Sequence, residues 1–133
     1  MADTVTSEYV YDGERRKLLH ITNVSDGTGE SGVVKIDVSA LTYDFGKTPA
    51  HVTVDMIDYD IQGFTAVRLY FDATADDELA VLPAGQGTLD FAAYGGKTDP
   101  KSTGYTGDVK LTTDGEAADA TYDIRIHFRP KGG

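Results

Sequence analysis

Two clusters of acidic residues are the parts of this sequence best suited to metal chemistry. The clusters are Asp55, Asp58 and Asp60, and, within residues 72–78, Asp72, Asp76, Asp77 and Glu78. Calcium takes six to eight oxygen ligands, often from closely spaced carboxylates on one loop. Residues 72–78 are expected to form a turn and are the better placed cluster, but neither cluster has the spacing of a calcium-binding loop. We therefore predict two solvated acidic surfaces, with no bound metal and no other cofactor.

Three histidines, His20, His51 and His127, could in principle serve a Ser-His-Asp hydrolase. Such a triad is defined by its geometry, and the spacing of these histidines singles out no serine or aspartate as a partner. Paired glutamates and a histidine-rich metal set, which other hydrolases use, do not stand out either. We therefore expect structural or surface histidines, no catalytic residue, and a protein that is not an enzyme.

Residues 27–32, Gly-Thr-Gly-Glu-Ser-Gly, match the Gly-x-Gly-x-x-Gly spacing of a dinucleotide-binding loop. That motif holds a phosphate only between a strand and a helix, because the helix N-terminus binds the anion. Here the next segment, Val33 to Ala40, has the alternation of a strand. The sequence therefore predicts an ordinary glycine-rich turn and no cofactor-binding residue.

Eight tyrosines and no tryptophan give the chain an unusual aromatic composition. Four of them, Tyr9, Tyr11, Tyr94 and Tyr105, lie in the N-terminal strand and in a long glycine-rich segment. A ring with a polar tip suits the core edge or a turn, a protein interface, or a platform for a sugar. These three interpretations remain open, and the four tyrosines are candidate interface residues.

The segment from Thr121 to Arg129 alternates without interruption. Its apolar positions are Tyr122, Ile124, Ile126 and Phe128, and its polar positions are Asp123, Arg125, His127 and Arg129. Because successive side chains of a strand point to opposite faces, this pattern predicts one buried and one solvated face. The basic side chains of the solvated face either pair with carboxylates of the same domain or contact an acidic strip on another subunit. In the second case, Arg125 and Arg129 are the interface residues.

Length and charge limit the classes of function. The 133 residues are expected to form one domain, 1–133, with residues 1–8 as a candidate N-terminal arm and 130–133 as a frayed tail. With 12 Lys and Arg against 22 Asp and Glu, the net charge is −10, which opposes binding to nucleic acid or anionic membranes. The absence of cysteine, of a secretory signal and of a membrane span is consistent with synthesis in the cytoplasm.

Alternating segments separated by turn residues extend through most of the chain, and no segment has a clear helical pattern. The predicted strands are Thr4–Asp12, Arg15–Val24, Val33–Ala40, His51–Gln62, Ala66–Ala73, Ala80–Leu82, Thr88–Ala92, Val109–Thr113 and Thr121–Arg129. The apolar phase slips near Met56 and Ile57, which predicts a β-bulge, and Gly63 is expected to end that strand. This spacing favours an all-β, single-domain antiparallel β-sandwich, jelly-roll-like, with about eight strands.

Several segments resemble small structural proteins encoded with the capsid genes of tailed bacteriophages. They are Met1-Ala-Asp-Thr-Val-Thr-Ser, Asp12-Gly-Glu-Arg, the run from His20 to Leu41, Asp60-Ile-Gln-Gly-Phe, Leu82-Pro-Ala-Gly-Gln-Gly, Tyr94-Gly-Gly, Asp99-Pro-Lys-Ser and Thr121-Tyr-Asp-Ile. The resemblance covers nearly the whole chain, but these segments are turns and strand cores. It therefore implies a family and a fold, and it carries over no catalytic residue.

The resemblance implies a capsid decoration, or cement, protein of the virion. Such a protein binds the major capsid protein on the outer surface of the shell, where capsomers meet, and stabilises the junctions, here as a homotrimer. Two alternatives stay open at this point: a virion protein of the tail, neck or fibre base, and a carbohydrate-binding β-sandwich module. An acidic surface is compatible with a position outside the shell, away from the packaged DNA.

Overall fold

Eight β-strands provide most of the regular structure in the computed structural model, which describes residues 4–12, 16–42, 46–100, 102–115 and 118–131. The strands are β1 (Thr4–Asp12), β2 (Lys17–Asp26), β3 (Val33–Ile36), β4 (His51–Phe71), β5 (Asp77–Asp90), β6 (Lys97–Thr98), β7 (Val109–Asp114) and β8 (Ala118–Lys131). Short 3₁₀ turns lie at Val38–Ala40 and Ala92–Tyr94. No helix in the described part of the chain is long and apolar enough to cross a membrane.

All eight strands belong to one antiparallel sheet, and the prediction of an all-β fold is confirmed. The strand order is β1-β2-β8-β4-β7-β3, with β5 and β6 also paired to β4. β4 is the central strand: one edge pairs with β8 over residues 51–62 and with β7 over residues 66–71, while β5 follows its other edge. β7 and β8 therefore run one after the other along the same edge of β4.

The sheet curls because neighbouring strands bend at one place, which we call the corner. The pairing of β4 with β5 is interrupted between Ile61 and Ala66, and Gly63 lies there with a φ of +85°. On β5 the corresponding position is Gly85, with a φ of +115°. The gap between β7 and β8 falls opposite the same part of β4. The corner divides the sheet into a first arm (β1, β2, β8, residues 51–62 of β4, and β6) and a second arm (β3, β7 and residues 66–71 of β4), with β5 running along both.

One hydrophobic core is shared by the two arms. Ile57 and Ile61 of the first arm, and Leu69, Leu111 and Ile36 of the second, are all fully buried in the same cluster. Burying a side chain of this size stabilises the fold by roughly 1.5–3 kcal/mol. The curl thus lets a single sheet bury one face on itself, with no helical layer.

The predicted β-bulge in β4 is confirmed, and it lies at Asp55. Val54 pairs with Phe128 and Met56 pairs with His127, so Asp55 is the extra residue. A bulge shifts the alternation by one residue. Val54 before it and Ile57 after it are therefore both buried, although in a regular strand residues three apart would point to opposite faces.

Two predicted strand ends were wrong. Gly63 does not end a strand, because β4 continues through it to Phe71, and the segments 80–82 and 88–92 belong mostly to β5, which runs through Pro83 and Gly85. Residues with special backbone preferences are tolerated where strands bend, and here they form the corner.

The prediction for Val33 to Ala40 was partly wrong. β3 ends at Ile36 and a 3₁₀ turn follows at Val38–Ala40. Simple alternation would place Val34 on the buried face with Ile36 and Lys35 on the opposite face. The Lys35 side chain is nevertheless only 4% exposed, and Val34 is 44% exposed. The register of β3 on β7 shifts between Val34 and Ile36, so Lys35 is a bulged residue. The bulge turns its side chain inward.

The two chain ends lie mostly within strands. Of the candidate arm 1–8, residues 4–8 belong to β1 and pair with β2 from Thr4 opposite Val24 onward, and residues 1–3 lie outside the described residues. Of the tail 130–133, Pro130 and Lys131 pair with β4, and residues 132–133 lie outside the described residues.

We expect Gly63→Ala to destabilise the protein by about 2–4 kcal/mol, because an added Cβ would meet Ala120 at 2.9 Å and the backbone φ is positive. Gly85→Ala is the matched control: its φ is also positive, but nothing lies within 4 Å of an added Cβ. Gly85→Ala should lower the free energy of unfolding by only about 1 kcal/mol, because it adds backbone strain without a steric clash. Urea unfolding measures both, and equal losses would show that close packing at the corner does not matter.

Candidate interaction surface

The outer face of β8 is a charged surface flanked by β2 and β4. Arg125 lies opposite His20 on β2 and opposite Asp58 on β4, and Asp123 lies opposite Asp60. On the same strand, Ile124 and Ile126 are fully buried. The predicted alternation of Thr121 to Arg129 is therefore confirmed, and its polar positions form the charged face, Asp123, Arg125, His127 and Arg129.

Arg129 is held by the bulge in β4. Its Nε lies 3.1 and 2.9 Å from the two carboxylate oxygens of Asp55, and its Nη2 lies 2.9 Å from Oδ1 of Asp55 and donates to the carbonyl of Gly95 at 2.9 Å. The Asp55 carbonyl accepts from the amide of Phe91 at 2.8 Å. A guanidinium that makes this many charge-assisted bonds is fixed in position. Arg129 is thus tied to its own domain.

Two histidines of this surface lie close to carboxylates on neighbouring strands. His20 Nε2 is 2.7 Å from Oδ1 of Asp123, and His127 Nε2 is 3.5 Å from Oδ2 of Asp58. Asp58 also accepts from the Thr88 hydroxyl at 2.7 Å. The third histidine, His51, is buried at the start of β4. Each histidine thus lies on a different strand.

Arg125 differs from the other basic residues of this face. It is exposed, and within the described residues no carboxylate lies at ion-pair distance from it. Its cross-strand neighbour Asp58 bonds to Thr88 and lies nearest to His127, while Asp60 accepts from Gln62 and Gln86, both at 3.1 Å. These bonds lower the pKa of Asp60, the Gln86 bond most. Arg125 therefore keeps its charge available to a partner.

Two grooves lie along this face, one toward each end of β8. The larger, about 690 Å³, is lined by Arg16, Lys17, Leu18, Asp55, Met56, Ala92, Gly95, His127, Phe128 and Arg129. We call it the basic groove, because it gathers three Arg or Lys side chains and a histidine in a protein of net charge −10. The smaller, about 470 Å³, is lined by Asp58, Tyr59, Asp60, Gln86, Gly87, Thr88, Asp123 and Arg125. Cationic and apolar groups together suit an acidic peptide surface better than a small neutral molecule.

The four candidate tyrosines are not gathered into one platform by the parts that the structure describes. Tyr9 on β1 is half-buried, and its ring centre lies 6.3 Å from that of Phe128. Tyr105 is 36% exposed in a loop in which the Thr103 carbonyl accepts from the amide of Thr74, in the segment after β4. Tyr11 lies on β1 and Tyr94 in a 3₁₀ turn, and their side chains lie outside the described residues.

The acidic segment 72–78 surrounds a lysine. Lys110 Nζ lies 3.1 Å from Oδ1 of Asp72 and 2.7 Å from Oδ2 of Asp76. The Thr106 hydroxyl donates to Asp72 at 2.8 Å, and the Ala73 amide donates to Asp76 at 3.1 Å. Among the described residues, no group of three or more His, Asp or Glu side chains is arranged to hold a metal ion. The sequence pattern missed this arrangement because Lys110 is distant in the chain.

Comparison of this chain with protein-family models, with curated proteins and with solved structures gives no significant match.

We expect Arg129→Ala to lower the free energy of unfolding by about 1–2 kcal/mol, because Asp55 would lose its charge-assisted bonds in a largely buried position. Arg125→Ala is the matched control on the same strand and should change stability by less than about 0.5 kcal/mol. Chemical denaturation compares the two. A larger loss for Arg125→Ala would contradict the assignment of Arg129 as the structural arginine.

The Asp76–Lys110 pair should make stability depend on pH. The Lys110 bond lowers the pKa of Asp76 below 3.8, and Asp76 raises the pKa of Lys110 above 10.5. The pair therefore stabilises the fold between these two values, and the contribution disappears as pH falls through the lowered pKa of Asp76 or rises past that of Lys110.

Asp76→Asn should cost about 0.5 kcal/mol near neutral pH, the usual size for a partly exposed ion pair. The difference between the two proteins should shrink as pH falls below 3.8 and vanish once Asp76 is protonated in the folded state as well. Denaturation of both proteins across this range measures it. If the two proteins still differ in stability at a pH where Asp76 is protonated, the ionised Asp76 carboxylate is not what stabilises the loop.

Proposed function

We propose that this protein is a non-enzymatic structural protein of a virion, a capsid decoration or cement protein. It binds the major capsid protein on the outer surface of the shell and stabilises the junctions between capsomers. The observation that carries the proposal is the basic groove together with Arg125, whose charge no described carboxylate neutralises. The resemblance of the sequence to capsid-associated phage proteins supports the same conclusion.

The charged face of β8 suits an acidic strip on the shell. Arg16 and His127 in the basic groove and Arg125 beside it can pair with carboxylates of a partner, while Arg129 stays bonded to Asp55. Charge complementarity of this kind sets the orientation of a complex and suppresses wrong partners. The remaining acidic surface opposes binding to nucleic acid and to anionic membranes, which are not proposed as partners.

The outer edge of β1 suits contact between copies of the chain. β1 pairs with β2 on one side, and on the other side no strand of the described chain pairs with it. Val10 on this strand is 58% exposed and Val5 is 36% exposed. An open strand edge with apolar side chains can add to a strand of a neighbour. We propose that this edge forms the homotrimer.

We also propose a more specific architecture for the fold. The two arms share one core and are joined by strands that bend at the corner. Strands that switch layers through bends are found in β-sandwiches with crossing layers. A jelly-roll-like sandwich, with the arms as its two layers, is the arrangement that we propose.

Binding to assembled shells tests the function. The purified protein is mixed with assembled shells of the major capsid protein, its proposed partner, and sedimentation separates bound from free protein. Saturable binding at a fixed number of copies per capsomer is the expected result. Binding to tail or neck structures instead, or to glycans instead, would overturn the proposal.

Arg125→Glu should weaken shell binding by roughly tenfold or more, because a charge that faces an acidic strip becomes repulsive. The isolated variant should keep its stability, since Arg125 is exposed. Arg68→Glu is the control: it changes the net charge equally but lies on the second arm, where Arg68 pairs with Asp114 at 2.6 Å. Equal weakening by both variants would point to net charge rather than to this surface.

A further inference from the structure

A buried cluster of polar side chains lies between the two arms, away from the charged face of β8. Its centre is Glu30, whose side chain is only 6% exposed. Oε2 of Glu30 lies 2.5 Å from Lys35 Nζ, and Oε1 accepts from Asn23 Nδ2 at 2.8 Å and from the Tyr122 hydroxyl. Asn23 is 1% exposed and the Lys35 side chain 4% exposed. Lysine and glutamate are rarely buried to this extent.

Four strands hold the members of this cluster in place. Asn23 on β2 lies opposite Tyr122 on β8, and the bulge in β3 turns Lys35 inward. Backbone and hydroxyl bonds to Thr113 on β7 fix Glu30: its amide donates to the Thr113 hydroxyl at 2.9 Å, and its carbonyl accepts from the Thr113 amide at 2.9 Å. One carboxylate therefore binds an amine through one oxygen and a carboxamide through the other.

From this arrangement we propose that Lys35 and Asn23 form an intramolecular isopeptide bond, with Glu30 transferring the protons. An amine is a nucleophile when it is neutral, and a desolvated lysine beside a base can lose its proton. The primary carboxamide of Asn23, bound to the same carboxylate, supplies the electrophilic carbon and a leaving group.

The reaction balances without an oxidant, a reductant or a cofactor. Glu30 takes a proton from Lys35 Nζ, and the nitrogen lone pair attacks Cγ of Asn23, whose carbonyl electrons move to the oxygen. Glu30 then gives that proton to Nδ2 and takes the second proton from Nζ as the carbonyl re-forms. The bond between Cγ and Nδ2 breaks, Nδ2 leaves as ammonia, and the remaining proton stays on Glu30 until solvent removes it. The new bond joins Nζ to Cγ, and one ammonia is released for each chain. Holding the groups in one site replaces a collision between separate molecules.

The bond would lock the curled sheet. β3 is the edge strand of the second arm, and β2 lies next to the edge strand of the first. In the strand order, β8, β4 and β7 separate them. A covalent link from Asn23 to Lys35 therefore joins the two ends of the sheet across the core, where hydrogen bonds between β2 and β3 are absent from the described pairings. This inference does not depend on the proposed capsid function.

The intact mass of the purified, folded protein tests the proposal. The expected mass is that of the printed sequence, with or without the initiator methionine, lowered by one ammonia molecule. After denaturation and trypsin digestion, cleavage should fail after Lys35, because its amine is an amide. Cleavage after Lys110, which is only ion-paired, is the internal control. Tandem mass spectrometry should place the link between Lys35 and Asn23.

Two variants isolate the chemistry. Lys35→Arg keeps the charge but cannot form the bond, and Glu30→Gln cannot transfer the protons, so both should have their full sequence masses. Full mass and normal cleavage after Lys35 in the wild-type protein would overturn the proposal, as would the loss of water, which would mean a bond to a carboxylate. The mass and the digestion pattern of the wild-type protein decide whether the bond forms, so the test does not depend on either variant folding.

Discussion

The rest of the structure depends on one constraint, the bend that β4 and β5 share. The gap between β7 and β8 lies beside this bend. A flat sheet of these strands would leave one apolar face in water, since no helical layer covers it in the described chain. By bending at Gly63 and Gly85, the sheet folds over its own face, and the apolar side chains of both arms form one core. The energy of that burial holds the curl, and the curl decides which residues meet.

The polar parts of the molecule follow from the curl and from two bulges. One bulge, at Asp55, turns a carboxylate toward Arg129 on the first arm, so that this arginine is fixed and Arg125 is left available. The other, at Lys35, turns an amine into the core toward Glu30. A bulge inserts one residue and changes the face to which the side chain points. In this protein both bulges place charged groups where simple alternation would not.

The sequence was sufficient for the strands with regular alternation. Thr121 to Arg129 was predicted with its faces correct. The phase slip near Met56 and Ile57 revealed the first bulge, because the buried apolar residues before and after it differ in phase by one residue. The second bulge was missed, since β3 is too short for a slip of phase to be visible. Gly63 and Pro83 were wrongly predicted to end strands, because glycine and proline occur both where a strand bends and where a strand stops. The pairing of Lys110 with Asp72 and Asp76 depends on contacts between distant segments, which local patterns do not contain.

The central proposal about function is that the charged face of β8 binds a capsid shell. A reconstruction by electron cryo-microscopy of shells saturated with this protein tests it most directly. If the proposal is right, we expect copies on the outer surface at capsomer junctions, with Arg125 and the basic groove facing acidic residues of the shell and β1 edges meeting around a three-fold axis. Shells without added density, or copies bound with the β8 face toward solvent, would contradict it.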